Sequence, residues 1–189
     1  MRKKTVKRPG RNGETLMDRI DKILNHDLFL YHLGKNNAAE VDRRFCRHSM
    51  VHFLDVARIG TIIALEEGLE LDREWIYAAA LLHDCGKHEQ YENGTPHEQA
   101  SARIAPEILK ACGFNDEETG VIVTAISRHR DPEAAKEKNL NGILYRADKA
   151  SRACFACDAE KDCNWKDGKK NLTICLLYTS PSPRDSTSS

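Results

Sequence analysis

The chain has 189 residues, 29 of them basic and 29 acidic, and 40% of its residues are hydrophobic. This length suits one globular domain with a core of its own. The longest strictly apolar run covers residues 76–82, far short of the roughly 20 residues that a membrane-spanning helix needs. No apolar stretch follows the basic N-terminus as it would in a secretory signal peptide. We therefore expect a protein without a membrane partner.

Charge is distributed unevenly although the chain is neutral overall. Residues 1–13 carry six basic side chains and no acidic one, which leaves a net charge of −6 for residues 14–189. A basic arm can contact nucleic acid or anionic lipid, but its composition is also typical of a disordered segment. We predict a disordered basic leader over residues 1–16. Because the remainder is not basic, we do not expect a nucleic-acid partner.

Seven cysteines are spread along the chain, at positions 46, 85, 112, 154, 157, 163 and 175. Their number is odd, and several lie inside apolar helical patterns. A disulfide framework is therefore not expected, and the sequence favours a reducing cytoplasmic location.

Helical periodicity dominates the chain, and the alternation typical of strands is nearly absent. We predict an all-α fold whose helices cover residues 18–26, 38–67, 73–84, 96–112, 116–129 and 142–152. Together they would form one domain over residues 17–152, followed by a cysteine-containing extension over residues 153–174.

Three helix starts have recognisable capping residues. Asp72 and Asn115 are predicted N-caps, since short polar side chains accept bonds from the first free backbone N–H groups. Thr95 and Glu98 have the spacing of a capping box. Pro106 lies inside the helix that would follow, and proline is expected to kink or split it.

The last segment, residues 175–189, resembles the translated product of an adapter used to prepare sequencing libraries. We therefore expect it to contribute nothing to the fold. The alternative is a natural, disordered tail rich in serine and proline.

The most informative motif is His83-Asp84 at the end of a strongly apolar helix. An unpaired buried carboxylate costs several kcal/mol, so a cation is expected beside Asp84. A divalent metal ion would satisfy it, because imidazole nitrogen and carboxylate oxygen suit zinc, iron and manganese. Lys87 could then bind an anionic oxygen of a substrate. The simpler alternative is that His83 and Asp84 only cap the helix and pair with Lys87.

Other predicted helices carry further histidine and aspartate residues, which are the same potential metal ligands as in this motif. His48 and His52 lie one turn apart, and His97, His129 and Asp148 occur in later segments. A helical bundle could direct all of these groups to one centre. The residues alone do not choose between His48 and His52.

Three motifs in this order resemble the HD superfamily of metal-dependent phosphohydrolases. They are His-x-x-x-Val-Ala from His52, Ala-Leu-Leu-His-Asp-x-Gly-Lys ending at Lys87, and Ala-Asp-Lys around Asp148. The resemblance covers about residues 48–152 and implies a single HD-domain helical bundle. It implies that one metal ion is held by His52, His83, Asp84 and Asp148. In members with two further histidines, here His97 and His129, a second ion shares Asp84.

The resemblance also implies an activity. Such an enzyme hydrolyses a phosphate ester or anhydride of a small molecule, here most plausibly a nucleotide, by a metal-activated hydroxide. Manganese, iron, zinc or magnesium are the expected ions, and Asp84 and Lys87 the expected catalytic residues. Candidates for supporting the ligands or binding phosphate are His48, Arg128, Arg130, Arg146 and Lys149. A solvated surface role is the alternative for the arginines.

Two other functions remain open. Many members keep only four ligands, so His97 and His129 could instead contact the substrate. With mixed-valence iron, the same residues resemble an HD-type di-iron oxygenase, which cleaves carbon bonds with dioxygen. A non-catalytic HD module that only binds a ligand is the third possibility.

A separate cysteine pattern lies near the C-terminus. Cys154, Cys157 and Cys163 have the spacing C-x2-C-x5-C, and Cys46 lies six residues before His52, as Cys154 lies six after Asp148. Four thiolates suit a structural zinc ion or an iron–sulfur cluster. Thiols that bind no metal are the alternative.

Overall fold

A computed structural model of the chain describes residues 18–173. The predicted leader over residues 1–16 and the tail over 175–189 lie outside this range. Eight α-helices form the described part, which contains no β-strand. They are α1 (Asp18–Leu24), α2 (Asp27–Ala39), α3 (Met50–Glu66), α4 (Arg73–Leu82), α5 (Lys87–Glu92), α6 (His97–Ala111), α7 (Asp116–Arg128) and α8 (Leu140–Ala150). The predicted all-α fold is confirmed.

Helix α4 lies at the centre of the molecule. It packs against α1, α3, α7 and α8, while α6 packs on α7. All five residues from Ala78 to Leu82 are fully buried, and each buried leucine contributes about 1.5–3 kcal/mol. This apolar helix therefore fixes the position of the His83-Asp84 pair that follows its last turn.

Two of the predicted caps are present. The Asp72 carboxylate accepts a hydrogen bond from Glu74 N at 2.7 Å. Asn115 Oδ1 accepts from Glu118 N at 2.9 Å, and Glu118 Oε2 accepts from Asn115 N at 2.8 Å, which completes a capping box. Each cap contributes about 1 kcal/mol.

The long helix predicted over residues 38–67 is wrong. Helix α2 ends at Ala39 and α3 begins at Met50, so most of residues 40–49 form an irregular connection. The buried Glu40 carboxylate closes this connection by accepting hydrogen bonds from His48 N and from the His48 ring. Of residues 40–49, only Glu40 and His48 are buried, so the pattern read as a helix across this segment does not correspond to a buried face.

The predicted capping box at Thr95 is also wrong. Helix α6 begins at His97 with Pro96 at its N-cap, and no side chain caps it. The helix continues through Pro106 without a break. Proline removes one hydrogen bond there, and the buried face formed by Ala105, Ile108 and Leu109 holds the helix together.

Residues 153–173, here called the C-terminal extension, have a different character. They contain three one-turn 3₁₀ helices, Cys154–Ala156, Glu160–Asp162 and Asp167–Lys169. Only Cys154 and Ala159 are buried within it. The Asn171 amide ties the extension to the end of α8, donating to the carbonyls of Lys149 and Arg152, each at 2.8 Å.

Candidate metal centre

Helix termini bring the predicted ligands to one place. His52 lies in the first turn of α3, His83 and Asp84 directly follow α4, and His97 is the first residue of α6. His129 caps the end of α7, and Asp148 lies in the last turn of α8. All six side chains are buried. Polar residues at helix ends can face one another without interrupting the apolar packing along the helices.

The Asp84 carboxylate faces two groups of donor atoms. Its Oδ2 atom lies 3.1 Å from His83 Nε2 and 3.6 Å from His52 Nε2. Its Oδ1 atom lies 3.2 Å from His97 Nε2 and 3.5 Å from His129 Nε2. The two carboxylate oxygens therefore belong to two separate sets of nitrogen atoms.

Asp148 completes the first set. Its Oδ1 atom lies 3.4 Å from His52 Nε2 and 3.9 Å from His83 Nε2. The donor atoms of His52, His83, Asp84 and Asp148 all lie within 4.8 Å of one another. Those of Asp84, His97 and His129 satisfy the same condition, so the structure contains two adjacent groups able to hold metal ions.

The second nitrogen of each histidine ring is held by the protein. The Nδ1 atoms of His83 and His129 each lie 2.7 Å from a backbone carbonyl, to which only an N–H can donate. His97 Nδ1 lies 2.6 Å from Gln90 Oε1. His52 Nδ1 lies 3.2 Å from the Ser151 hydroxyl. These contacts fix the rings so that each Nε2 atom faces the centre, as metal-ligating histidines require.

Unsatisfied atoms show that these residues fit a metal ion. Within the described chain, His52 Nε2, His83 Nε2 and Asp84 Oδ1 are buried without a hydrogen-bond partner, which is costly unless a ligand satisfies them. His97 Nε2 and His129 Nε2 lie only 3.2 Å apart. Because both rings donate through Nδ1 when neutral, these two lone pairs face each other, and a cation would relieve their repulsion.

Burial and charge shift the ionisation of the site. Burial lowers the pKa of His52 to about 4 and that of His97 to about 3, so both are neutral at pH 7. Burial alone would lower the pKa of His83, but Asp84 and Asp148 raise it to about 10. Burial would raise the pKa of Asp84, but the charge of His83 and its other neighbours hold it well below its usual range. A metal ion at the first group must therefore displace a proton from His83.

Comparison with known proteins agrees with this geometry. Residues 50–159 match the HD domain family. The chain belongs to the HD domain family. It is 49% identical over 158 residues to an uncharacterized protein of Clostridium beijerinckii, covering 84% of this chain and 99% of the relative. No solved structure matches the chain significantly.

Membership places the chain in a superfamily of metal-dependent phosphohydrolases, and the buried His/Asp cluster fits the metal site of an HD domain. The described part of the chain has no helix with the length and apolar character needed to cross a membrane.

His48 belongs to neither donor group but lies beside them. Together the two groups are called the HD cluster, formed by His52, His83, Asp84, His97, His129 and Asp148. The Nε2 atom of His48 is 3.6 Å from Asp84 Oδ2, and its Nδ1 atom is 2.5 Å from Glu40 Oε1. Glu40 was missed in the sequence, which gives no local signal for it. Burial would raise the pKa of Glu40, but hydrogen bonds from His48 and Tyr91 lower it to about 2. Glu40 therefore holds His48 in place as a carboxylate.

Lys87 is buried next to the second donor group. Its Nζ atom lies 3.1 Å from Gln90 Oε1 and 3.2 Å from His97 Nδ1. Burial lowers its pKa from the ordinary value. Lys87 thus lies behind the His97 ring, on the opposite side from its metal-facing nitrogen.

The three candidate arginines differ in their contacts. Arg146 pairs with Glu67 at 2.8 Å, and Arg128 pairs with Asp131 at 2.8 Å and Glu137 at 2.6 Å. Arg130 has one distant carboxylate neighbour, 3.9 Å away, and its side chain is 53% exposed. Among the three, Arg130 has the guanidinium group with the fewest contacts to the protein.

Two cations lie against Asp148. Lys149 Nζ is 2.5 Å from Oδ2, and Arg152 Nη2 is 3.0 Å from Oδ1. Arg152 is a further residue that was not predicted from the sequence; it lies two residues beyond the end of α8 and four after Asp148, a known spacing for an ion pair.

The four cysteines do not form a compact ligand set. The groups of three or more donors within 4.8 Å contain no cysteine in the part of the chain that is described. Cys46, Cys154 and Cys157 do line a common cavity, whereas Cys163 is not among its lining residues.

Proposed function

We propose that this HD domain protein is a metal-dependent phosphohydrolase that cleaves a phosphate ester or anhydride of a small molecule, with nucleotides as the first candidates. One observation carries the proposal. The two oxygens of Asp84 face two donor groups, one with His52, His83 and Asp148 and the other with His97 and His129. A carboxylate placed in this way can be shared by two ions, the arrangement used for in-line phosphoryl displacement.

The ligand assignment is part of the proposal. Divalent ions such as manganese, iron, zinc or magnesium, when bound there, would provide Lewis acidity and a water of lowered pKa. The chain contributes the remaining functions. The carboxylates of Asp84 and Asp148 offset the cationic charge, and the held Nδ1 atoms orient the rings. Burial of the six side chains limits competing water.

Positive charge next to the centre favours an anionic substrate. Burial is the main cause of the lowered pKa values of Lys87 and His97, and the nearby charge of Arg130 contributes to both shifts. We propose that Arg130 binds a phosphate group, since its planar fork is largely free of other partners. We also propose that His48, which Glu40 holds in place, orients the Asp84 carboxylate through its Oδ2 atom.

The first test is phosphate release from a panel of nucleotides and phosphate esters with each metal added in turn. We expect Asp84→Asn to reduce turnover by about 10³-fold or more, because both donor groups lose their shared charge. Asp116→Asn, at a carboxylate that is 90% exposed, is the matched control and should retain activity.

No phosphate release by a folded, metal-loaded protein would overturn the proposal. Substrate-dependent oxygen uptake with iron would then identify the oxygenase. Ligand binding without any turnover would identify a non-catalytic module.

A second variant tests how the substrate is bound. Arg130→Ala should raise KM by about tenfold or more while changing kcat less, since one charged hydrogen bond contributes about 1.5–3 kcal/mol. Arg128→Ala is the matched control, because that guanidinium pairs with Asp131 and Glu137. An equal effect on KM from both variants would show that Arg130 has no special role.

A further inference from the structure

A second candidate site lies behind the HD cluster. A cavity of about 300 Å³ is lined by three cysteines, Cys46, Cys154 and Cys157. Its wall includes His52 and Ser151, and the His52 ring presents to Ser151 the nitrogen that does not face Asp84. The cavity is therefore separate from the space between the two donor groups, although it lies next to it.

Cys163 does not line the cavity, but an ion pair connects its segment to the lining. It follows Asp162, whose carboxylate pairs with the cavity-lining Arg44 at 2.9 Å. This ion pair joins the segment before α3, which carries Cys46, to the segment that carries Cys163. The fourth thiol therefore belongs to a segment that contacts the cavity lining.

The C-terminal extension lacks the apolar core that would stabilise it. It has three one-turn helices and only two buried residues, Cys154 and Ala159. Segments of this size without a core usually depend on a disulfide or a metal centre. All four cysteines are free thiols in the structure, so a bound metal centre would add to the polar contacts, such as those of Asn171, that hold the extension.

Positive charge predominates at the cavity. Its lining includes Arg44, Arg47 and Arg152, but only one carboxylate, that of Asp55. Guanidinium groups placed there would offset the negative charge of a metal centre bound by thiolates. Arg152 Nε is also buried and has no hydrogen-bond partner among residues 18–173, so this donor is free to bond to a sulfur atom.

The separation of the sulfur atoms distinguishes between two kinds of centre. Four thiolates on one zinc ion lie about 3.8 Å apart, given a zinc–sulfur bond of about 2.3 Å and tetrahedral geometry. In the described chain no three of the cysteine sulfurs come within 4.8 Å of one another. In an iron–sulfur cluster the four thiolates are divided among two or four iron atoms, so at most two bind the same iron and the set as a whole is more widely spaced.

We propose that Cys46, Cys154, Cys157 and Cys163 bind an iron–sulfur cluster in this cavity. The cluster joins the C-terminal extension to the segment before α3. This inference does not depend on the phosphohydrolase activity, and it would stand if the HD site had another function.

The test is reconstitution of the full-length protein with iron and sulfide under anaerobic conditions, followed by measurement of iron, acid-labile sulfide and visible absorption. We expect about two or four sulfides per chain and an equal amount of cluster iron. Sulfide is the decisive quantity, because iron alone also binds to histidine and aspartate. Cys157→Ser and Cys163→Ser should each lose most of the sulfide and the visible absorption.

Cys112→Ala is the matched control, since Cys112 is a buried thiol in the helical core and does not line the cavity. It should retain the cluster. Far-ultraviolet circular dichroism shows whether each variant keeps its helices. Sulfide unchanged in both serine variants would overturn the proposal. So would zinc bound without sulfide, since that result would identify a mononuclear site.

Discussion

The helical domain and the C-terminal extension are stabilised in different ways, although they meet at the end of α8. The domain positions its candidate ligands by apolar packing, with fully buried residues such as Leu81 and Leu82 directly before His83 and Asp84. The extension is held by polar contacts, such as those of Asn171. Among residues 18–173, groups of three or more donor atoms within 4.8 Å of one another occur in the first region and not in the second. Dense packing fixes side chains in place, and a few hydrogen bonds do so less well.

Each region has its own tryptophan, which allows the comparison to be measured. Trp75 lies in α4 and donates to Glu118 Oε1 at 3.1 Å. Trp165 lies in the extension, 6.0 Å from the Arg152 guanidinium. The Trp75→Phe variant keeps only Trp165 and therefore reports on the extension. The Trp165→Phe variant keeps only Trp75 and reports on the domain.

Lowering the pH should produce the largest change in the free energy of unfolding, and this change should arise in the helical domain. His52 and His97 have lowered pKa values of about 4 and about 3. The unfolded chain therefore binds more protons below about pH 6.5, and the free energy of unfolding of the metal-free protein should fall from there to about pH 3–4. The expected slope is up to about 1.4 kcal/mol per pH unit for each histidine. Urea titrations at several pH values, followed by Trp75, measure it.

Alkali should also weaken the metal-free domain. The pKa of His83 is raised to about 10, so its contribution is complete below about pH 6.5 and is lost as the pH rises to about 10. His83→Gln should remove this alkaline loss. Stability that stays constant from pH 6.5 to 10 in the unmodified protein would contradict the assigned charge of His83.

Adding one methyl group, by a glycine-to-alanine substitution, should change the free energy of unfolding by a smaller amount that differs between the two regions. A Cβ at position 86 would lie 2.7 Å from both Ala100 Cβ and Ser101 N, so Gly86→Ala should cost about 3 kcal/mol. At Gly168, in the extension, no atom lies within 4 Å of such a Cβ. Gly168→Ala should change stability by less than about 0.5 kcal/mol. Equal losses, measured by urea unfolding, would mean that the extension is as tightly packed as the domain.

The smallest effect is expected at the contact between the regions. Asn171→Ala removes the amide that donates to the carbonyls of Lys149, in the last turn of α8, and of Arg152, just after it, and should cost about 1 kcal/mol. Hydrogen exchange in the extension should accelerate, and Trp165 fluorescence should change. Asn141→Ala is the control, because that amide bonds only Glu137 at the other end of α8. If both variants change the fluorescence of Trp165 equally, Asn171 does not attach the extension to the end of α8.

Local patterns predicted much of the fold. The caps at Asp72 and Asn115 follow from adjacent residues, and the apolar run before His83 predicts a buried helix. The start of α3 at Met50 could not be predicted, since it depends on Glu40 binding His48 across the loop. Most of helix α2 was missed for a similar reason. Its buried polar residue Asn36 bonds to Asp84 O and His88 N, far away in the sequence.

Motif spacing indicated which residues could form the site, but not how they are arranged. The sequence does not show that Asp84 directs one oxygen to each donor group, because this depends on how the termini of five helices are placed relative to one another. Nor could spacing show that Arg146 is engaged by Glu67. The pairing of His32 with His88, 2.8 Å apart and buried, is a further long-range contact without a local signal.

Arg152 gives the two regions a thermodynamic link. Its guanidinium donates to Asp148 in the HD site and also lines the cysteine cavity. Negative charge in that cavity would draw the guanidinium away from Asp148 and leave this carboxylate more available to a cation. By reciprocity, a cation at Asp148 then favours anionic charge in the cavity by the same factor. A coupling of about 1.4 kcal/mol would change both affinities tenfold, so the two sites should load as one linked system.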